Sequence, residues 1–183
     1  MNNLLEIRFH GRGGQGSVTA AELVATAAFY DGKFSQAFPS FGVERRGAPV
    51  MAYCRIAAQP IRRREQIYWP DFVVIQDSTL IKVDPQVLSG IGKQTGILIN
   101  SETVDWPQIK KGRVIAIPAT KIALEKIGKP FINTAIIGAL AAMSGAISLA
   151  ALKRAVAERF PAKVAEANIA AMETAFDFVK KNI

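Results

Sequence analysis

The strongest constraint in this sequence is a run of four glycines in six residues, which reads Gly-Arg-Gly-Gly-Gln-Gly at positions 11–16. An apolar run, residues 4–9, precedes it, and a run typical of a buried helix, residues 17–30, follows it. Glycine permits the tight turn that joins a strand to a helix, and it lets a ligand approach the backbone closely. The amides and the dipole of the following helix then favour an anion. The sequence therefore predicts a strand–turn–helix unit with an anion site at the turn.

The candidate binding residues lie at this turn and just after it. Gln15 can add an amide contact, Arg12 can neutralise a phosphate, and Ser17 offers a hydroxyl in the first helical turn. The opposite interpretation is that the glycines only allow the helix to pack closely on the strand, or a neighbouring subunit to approach. The predicted ligand-binding residues here are Gly11, Arg12, Gly13, Gly14, Gln15, Gly16 and Ser17.

The glycine spacing also matches the Gly-x-Gly-x-x-Gly fingerprint of dinucleotide-binding proteins. Such a site needs an acidic residue about 20 residues further on, at the end of the second strand, to hold the ribose. The predicted second strand, residues 33–38, is followed by Pro-Ser-Phe-Gly, and Asp31 belongs to the turn that leaves the helix. No Gly-Lys-Ser/Thr ends the run, which excludes a P-loop. A stand-alone nucleotide- or NAD(P)-binding Rossmann-like protein is therefore the alternative function.

Basic residues concentrate in one part of a chain whose net charge is +8. Arginine is favoured over lysine where phosphate or carboxylate is recognised bidentately, although residues 62–64 equally fit a solvated basic face. We do not expect nucleic acid as a partner, because no helix-turn-helix, zinc-finger spacing or aromatic stacking motif accompanies the cluster. Glu44, which precedes two arginines, also fits an ion pair with an arginine of a neighbouring subunit. The arginines of the cluster are Arg45, Arg46, Arg55, Arg62, Arg63 and Arg64.

Two segments together carry a resemblance to a known family. The glycine run that opens a helix, followed by Phe-Gly-Val-Glu-Arg-Arg-Gly-Ala-Pro at 41–49, resembles the gamma subunit of 2-oxoacid:ferredoxin oxidoreductases. The pyruvate and 2-oxoisovalerate enzymes are members of that family. Supporting matches extend over nearly the whole chain, at Pro60-Ile61-Arg62, Pro70-Asp71, Asp77, Ile99-Asn100, Asn133-Thr134, Gly138-Ala139 and Asn168.

The resemblance implies a subunit of a larger enzyme that is inactive alone. It implies a complex that oxidatively decarboxylates a 2-oxoacid to acyl-CoA and passes electrons to ferredoxin. Thiamine diphosphate is then held by the alpha and beta subunits, and iron–sulfur clusters by the beta and delta subunits. The gamma subunit carries neither and contributes to coenzyme A binding. The resemblance thus implies coenzyme A contact by the glycine turn together with Glu44, Arg45 and Arg46.

Residues for independent catalysis are scarce in this sequence. The one histidine, His10, is predicted to end the first strand, and the one cysteine, Cys54, falls in an apolar strand. Neither has the partners that a nucleophilic triad requires. No cluster of His, Cys or carboxylates has metal-ligand spacing, and a single cysteine excludes an autonomous iron–sulfur cluster. We therefore predict a binding module with no catalytic residue, in which Trp69 anchors an interface with a partner.

The hydrophobic pattern predicts an α/β fold, a three-layer α/β/α sandwich with a mainly parallel, Rossmann-like sheet. The expected strands are residues 4–9, 33–38, 49–57, 72–76, 97–100 and 114–117. The expected helices are residues 17–30, 120–127, 134–144, 149–159 and 162–181, with Asn133 and Ser148 as N-caps. Ile169, Met172, Phe176 and Val179 form a stripe that faces the sheet or a partner.

Length and hydropathy bound the organisation of the chain. We expect residues 1–183 to form a single domain, because a chain of this length buries about 70% of its unfolded surface. The longest apolar block, residues 135–149, is interrupted by glycine and serine and is shorter than the ~20 residues that cross a bilayer. The first residues lack a signal-peptide pattern. These features predict a cytoplasmic protein without a membrane partner.

Overall fold

The computed structural model describes residues 4–40, 47–103 and 105–182, in which six strands form one sheet. The strands are β1 Leu5–Arg12, β2 Phe34–Pro39, β3 Pro49–Ala57, β4 Phe72–Ile75, β5 Gly96–Asn100 and β6 Arg113–Ile117. Their order in the sheet is β2-β3-β1-β4-β5-β6. β3 runs antiparallel to both of its neighbours, and the other strands share one direction. The prediction of a mainly parallel sheet is confirmed.

Helices flank the sheet on both faces, but in very unequal amounts. They are α1 Ser17–Tyr30, α2 Leu80–Val83, α3 Ala119–Ile127, α4 Asn133–Ser144, α5 Leu149–Arg159 and α6 Ala162–Asn182. α1 and α3 to α6 bury the main apolar core against one face of the sheet. The other face carries α2, a 3₁₀ turn at Pro85–Leu88 and a smaller core. None of the helices in the described ranges combines the length and apolarity needed to cross a membrane.

The first strand is longer than the sequence pattern predicts. It runs past Phe9 and His10 to Arg12, because Gly11 pairs with Val50 and Arg12 with Pro49 on β3. The prediction that His10 ends the strand is therefore wrong. Side chains alternate along β1, so Ile7 and Phe9 enter the main core while Arg8 and His10 lie buried on the thinly covered face.

The stripe on α6 faces the main apolar core, on the sheet side that the sequence offered as one of two alternatives. Met172 and Val179 are fully buried, and Ile169 and Phe176 pack against the same core. Gly138 lets α4 approach α6 closely, since a Cβ there would overlap the backbone carbonyl oxygen of Met172. A buried hydrogen bond from the Thr134 hydroxyl to Asn168 Oδ1, at 2.7 Å, also joins the two helices. The packing of α4 on α6 thus accounts for several of the residues that carry the family resemblance.

The two predicted N-caps have different outcomes. Ser148 caps α5, with its hydroxyl oxygen accepting a hydrogen bond from the Ala151 amide at 3.1 Å. Asn133 is instead the first residue of α4, and the preceding Ile132 already has helical backbone angles. The Asn133 side chain lies against Gly16, within 3.0 Å of where a Cβ on that glycine would sit. The prediction of Asn133 as an N-cap is therefore wrong, because its side chain packs against the glycine turn.

Candidate functional site

A pocket of about 280 Å³ lies beside the glycine turn, at the carboxyl end of β5. In open α/β sheets this edge is where ligands bind. The turn contributes Gly14 and Gln15, β5 contributes its last residue, and the starts of α3 and α4 close the pocket. Its lining residues are Gly14, Gln15, Asn100, Thr120, Pro130, Phe131 and Ile132.

The backbone of the glycine turn is held by hydrogen bonds to the chain just before β3. The Gly13 amide donates to the Ala48 carbonyl at 2.9 Å, and the Gly47 amide donates to the Gly13 carbonyl at 3.1 Å. Gly14 has a φ of 97° and Gly16 a φ of 75°, which other residues adopt at a cost. Gly16 caps α1 without a side chain, so the first helical amides have no side-chain cap at that position. The turn therefore presents exposed backbone at Gly14 to the pocket.

Gly11 and Ser17 serve packing beneath the turn. Both are buried, and the Ser17 hydroxyl donates a hydrogen bond to Gln76 Oε1. A Cβ on Gly11 would overlap Ser17 Oγ and lie 2.7 Å from that same Gln76 oxygen. The Gln15 side chain folds back as well, with its Oε1 accepting from the Arg12 amide at 2.7 Å. Close packing of α1 on β1 therefore accounts for Gly11, whereas Gly14 and Gln15 remain at the pocket.

Arg12 points away from the turn and binds the segment after β4. Its Nε lies 2.7 Å from Asp77 Oδ2, and its two Nη groups donate to the Gly47 carbonyl and the Thr79 hydroxyl. Partial burial alone would raise the pKa of Asp77, but hydrogen bonds from Thr79 and Arg12 outweigh it and lower the pKa. Asp77, which carries part of the family resemblance, thus forms an ion pair with Arg12, the residue predicted to bind a phosphate.

Asn100 joins β5 to the start of α3 beside the pocket. Its Nδ2 donates to the Gln76 carbonyl at 3.0 Å and to Thr120 Oγ1 at 2.9 Å, while its Oδ1 accepts from the Thr120 amide at 3.1 Å. Thr120 is exposed near the first turn of a nine-residue helix. The side chain of Asn100 therefore fixes where α3 begins.

The starts of three helices meet around this pocket. Gln15 precedes α1, Thr120 lies in the first turn of α3, and Ile132 immediately precedes α4. Each helix start carries partial positive charge on its backbone amides. None of the lining residues that the structure describes titrates near neutral pH. These residues are suited to binding an anion and supply no acid or base for chemistry.

Glu44, Arg45 and Arg46 lie outside the described residues. The described chain resumes at Gly47, which bonds to Gly13 as well as to Arg12. The predicted role of Glu44, Arg45 and Arg46 in ligand binding therefore stays a prediction. The glycine turn is nonetheless hydrogen-bonded to Gly47, the residue that follows Arg46 in the sequence.

The one histidine and the one cysteine are both fully buried. Burial, and then the adjacent Arg8 guanidinium, lowers the pKa of His10 to about 3. His10 Nε2 accepts a hydrogen bond from Arg8 Nε at 2.8 Å. Burial also raises the pKa of the Cys54 thiol. Within the described parts of the chain, no group of three or more His, Cys, Asp or Glu residues is placed to hold a metal ion.

Comparison with known proteins decides the family. The family model described as pyruvate ferredoxin/flavodoxin oxidoreductase matches residues 6–178. The chain belongs to this family. It is similar to the pyruvate synthase subunit PorC of Methanothermobacter thermautotrophicus, with 50% identity over 97% of each chain. The common gamma subunit of the pyruvate/ketoisovalerate oxidoreductases of Thermococcus kodakarensis is 47% identical, over 95% of this chain and 96% of that protein.

A solved structure extends these matches to three dimensions. The pyruvate oxidoreductase subunit PORC of Thermotoga maritima superposes with a TM-score of 0.83 and 34% identity, over 95% of this chain and 96% of that one. These findings confirm the resemblance and favour a gamma subunit of a 2-oxoacid:ferredoxin oxidoreductase over the NAD(P)-binding alternative.

Sequence reasoning missed part of the pocket. Thr120 and Phe131 lie far from the glycine run in sequence, and no local motif marks them. Asn100 did stand out, but only as a residue that matches the family. The signal available for the rest was topological, because residues just after parallel strands gather at one edge of the sheet.

Proposed function

We propose that this gamma subunit assembles with alpha, beta and delta subunits and contributes to coenzyme A binding through the glycine-turn pocket. In the assembled enzyme, a 2-oxoacid is oxidatively decarboxylated to acyl-CoA and ferredoxin accepts the electrons. Pyruvate is the substrate that the names of the relatives favour. Thiamine diphosphate and the iron–sulfur clusters belong to the partner subunits, and the cytoplasm is the proposed location.

The observation that carries the pocket's role is the meeting of three helix starts around it. Backbone amides at such starts bind phosphate groups, and coenzyme A carries several phosphates. Gly14 lets a ligand reach the backbone closely, since a Cβ there would meet no atom within 4 Å. The pocket thus combines the exposed backbone of Gly14 with the partial positive charge of three helix starts, while the amides of Gln15, Thr120 and Phe131 donate within the chain.

The size of the pocket limits what it holds. Ligand pockets usually span about 300–1,000 Å³, and this one is about 280 Å³. It therefore accommodates one phosphate-bearing part of coenzyme A, with the remainder held by neighbouring subunits. Phe131, which is half exposed at the pocket edge, offers that ligand an apolar surface.

A charge placed at the pocket tests this role. We would compare Thr120→Glu with Leu124→Glu in the anaerobically reconstituted enzyme. Thr120 lines the pocket, whereas Leu124 is exposed one turn further along α3 and does not. A carboxylate near a helix start is compatible with the helix dipole, so Thr120→Glu should fold. We expect it to raise the KM for coenzyme A at least about tenfold, which corresponds to about 1.4 kcal/mol.

The two variants separate the pocket from general effects of charge. The KM for the 2-oxoacid should not change in either variant, and Leu124→Glu should leave the KM for coenzyme A as it is in the wild type. An intact Thr120→Glu complex with an unchanged KM for coenzyme A would disprove the pocket's role. Titration of the isolated chain with NADH, monitored by NADH fluorescence, tests the alternative function. A stand-alone NAD(P)-binding protein would bind NADH tightly in this experiment.

A further inference from the structure

A second surface, formed by residues 62–69, lies away from the glycine turn and is held firmly by the fold. Two buried arginines bind its backbone. Arg55 Nη2 donates to the Glu65 carbonyl at 2.7 Å, and Arg8 Nη1 donates to the Ile67 carbonyl at 3.4 Å. The Thr95 hydroxyl then donates to the Pro70 carbonyl at 2.9 Å, just beyond the segment. This irregular segment, which we name the arginine–aromatic segment, is thereby fixed from Glu65 onward.

Two large aromatic side chains project from the arginine–aromatic segment. Trp69 is 77% exposed and Tyr68 is 55% exposed, although the backbone that carries these two side chains is closely packed. A Cβ on Gly90 would overlap the Tyr68 carbonyl oxygen, so only glycine fits beneath it. The two rings contact each other edge to face, with centroids 5.9 Å apart. Rigidly held, exposed tryptophan and tyrosine are typical of the residues that dominate binding energy at protein interfaces.

The same segment carries a concentrated positive charge. Arg62, Arg63 and Arg64 are consecutive and exposed. Among the residues that the structure describes, Glu65 lies 3.9 Å from Arg63, and both side chains are more than half exposed. An exposed ion pair at this distance contributes little to the stability of the folded chain. The segment therefore presents excess positive charge around an apolar pair, the composition of an interface that attracts an acidic surface.

We propose that the arginine–aromatic segment docks onto an acidic face of a partner subunit of the oxidoreductase. This inference rests on the proposed function, because it requires the multi-subunit complex. A second copy of this chain is a poor occupant, since each copy would bring three arginines to the contact. The aromatic pair supplies the desolvated centre of the contact, and the arginines steer and orient the partner.

Two variants and two matched controls test the surface. Trp69→Ala removes the most exposed aromatic, and Phe29→Ala removes a similarly exposed one on α1. Arg62→Glu/Arg64→Glu reverses two charges of the segment, and Lys110→Glu/Lys111→Glu reverses two exposed charges before β6. Dissociation of the chain from the reconstituted complex is measured by native mass spectrometry over a dilution series. Thermal unfolding of each isolated variant checks that it is folded.

We expect Trp69→Ala and the Arg62/Arg64 variant each to raise the Kd of the chain for the complex at least about tenfold. The controls should stay within about twofold of the wild type. Wild-type binding should also weaken with added salt, and the Arg62/Arg64 variant should lose most of that salt dependence.

The outcomes separate this proposal from the proposed function. If the wild-type chain forms no complex, the proposed function fails. If the wild type assembles and the variants bind as tightly as their controls, only the docking surface is wrong. A photo-crosslinking residue in place of Tyr68 should join an acidic partner subunit. A crosslink to a second copy of this chain, or to nucleic acid, would also overturn the proposal.

Discussion

The guanidinium of Arg12 and the carboxylate of Asp77 lie 2.7 Å apart, although 65 positions separate them in the sequence. The pair ties the end of β1 to the segment that follows β4. Thr79 completes the arrangement, since its hydroxyl accepts from Arg12 and donates to Asp77. The backbone of the glycine turn is thus braced from one side by Arg12 while its other side faces the pocket.

Asp77→Asn should destabilise the chain by about 1–3 kcal/mol at pH 7, the range for a partly buried charge-assisted hydrogen bond. The pKa of Asp77 is lower in the folded chain than the ~3.9 of an unfolded aspartate. Its contribution is therefore fully present above about pH 4 and is lost as the pH falls through the folded pKa. Urea unfolding of both proteins at pH 7 and below pH 4 checks this. A difference that grew in acid would contradict it.

Gly11→Ala should destabilise the chain by about 1–3 kcal/mol, because the new methyl group overlaps Ser17 Oγ in a closely packed space. Removing that oxygen as well, in Gly11→Ala/Ser17→Ala, should cost less than the sum of the two single changes. Gly14→Ala is the matched control, since its site is open and only its positive φ opposes a side chain. Urea denaturation gives each free energy, and additive costs would refute the packing role of Gly11.

Gly138→Ala should also be destabilising, although alanine favours a helix over glycine by about 1 kcal/mol. The added methyl group meets the Met172 backbone carbonyl, which cannot move aside without shifting α6. For the same reason, truncating the Met172 side chain should not rescue the variant. Thermal unfolding measures the effect, and a melting temperature above that of the wild type would show that α4 and α6 can separate at low cost.

His10 should make stability fall as the pH drops below about 6.5. Its pKa is about 3 in the folded chain, so the unfolded chain binds an extra proton between these values. That difference lowers the free energy of unfolding by up to about 1.4 kcal/mol per pH unit. His10→Gln, which keeps an acceptor for Arg8, should remove this component. Urea unfolding at pH 7, 6 and 5 measures it, and equal slopes for both proteins would contradict the assignment.

Local sequence patterns predict most elements of this fold. α1, α5 and β3 have the predicted bounds, and the other predicted strands and helices shift by only a few residues. The prediction ends β1 three residues early, because the extension from His10 to Arg12 depends on pairing with β3, about forty residues away. α2 and the 3₁₀ turn at Pro85–Leu88 are too short for a periodic signal.

The site is only partly readable from the sequence. The glycine run correctly marks a turn before a helix, and it places Gly14 and Gln15 at the pocket. The pattern does not reveal that Arg12 is engaged by Asp77, since that contact depends on the order of the strands. Nor does it separate Gly11, which serves packing, from Gly14. The roles of Glu44, Arg45 and Arg46 and the single-domain organisation stay predictions.

The most direct test of the whole account is anaerobic reconstitution of the oxidoreductase with and without this chain. We expect alpha, beta and delta subunits alone to reduce ferredoxin poorly with pyruvate and coenzyme A, and addition of the chain to restore activity in proportion to its incorporation. The chain by itself should show none. Full coenzyme A-dependent activity in its absence, or 2-oxoacid oxidation by the isolated chain, would contradict the account.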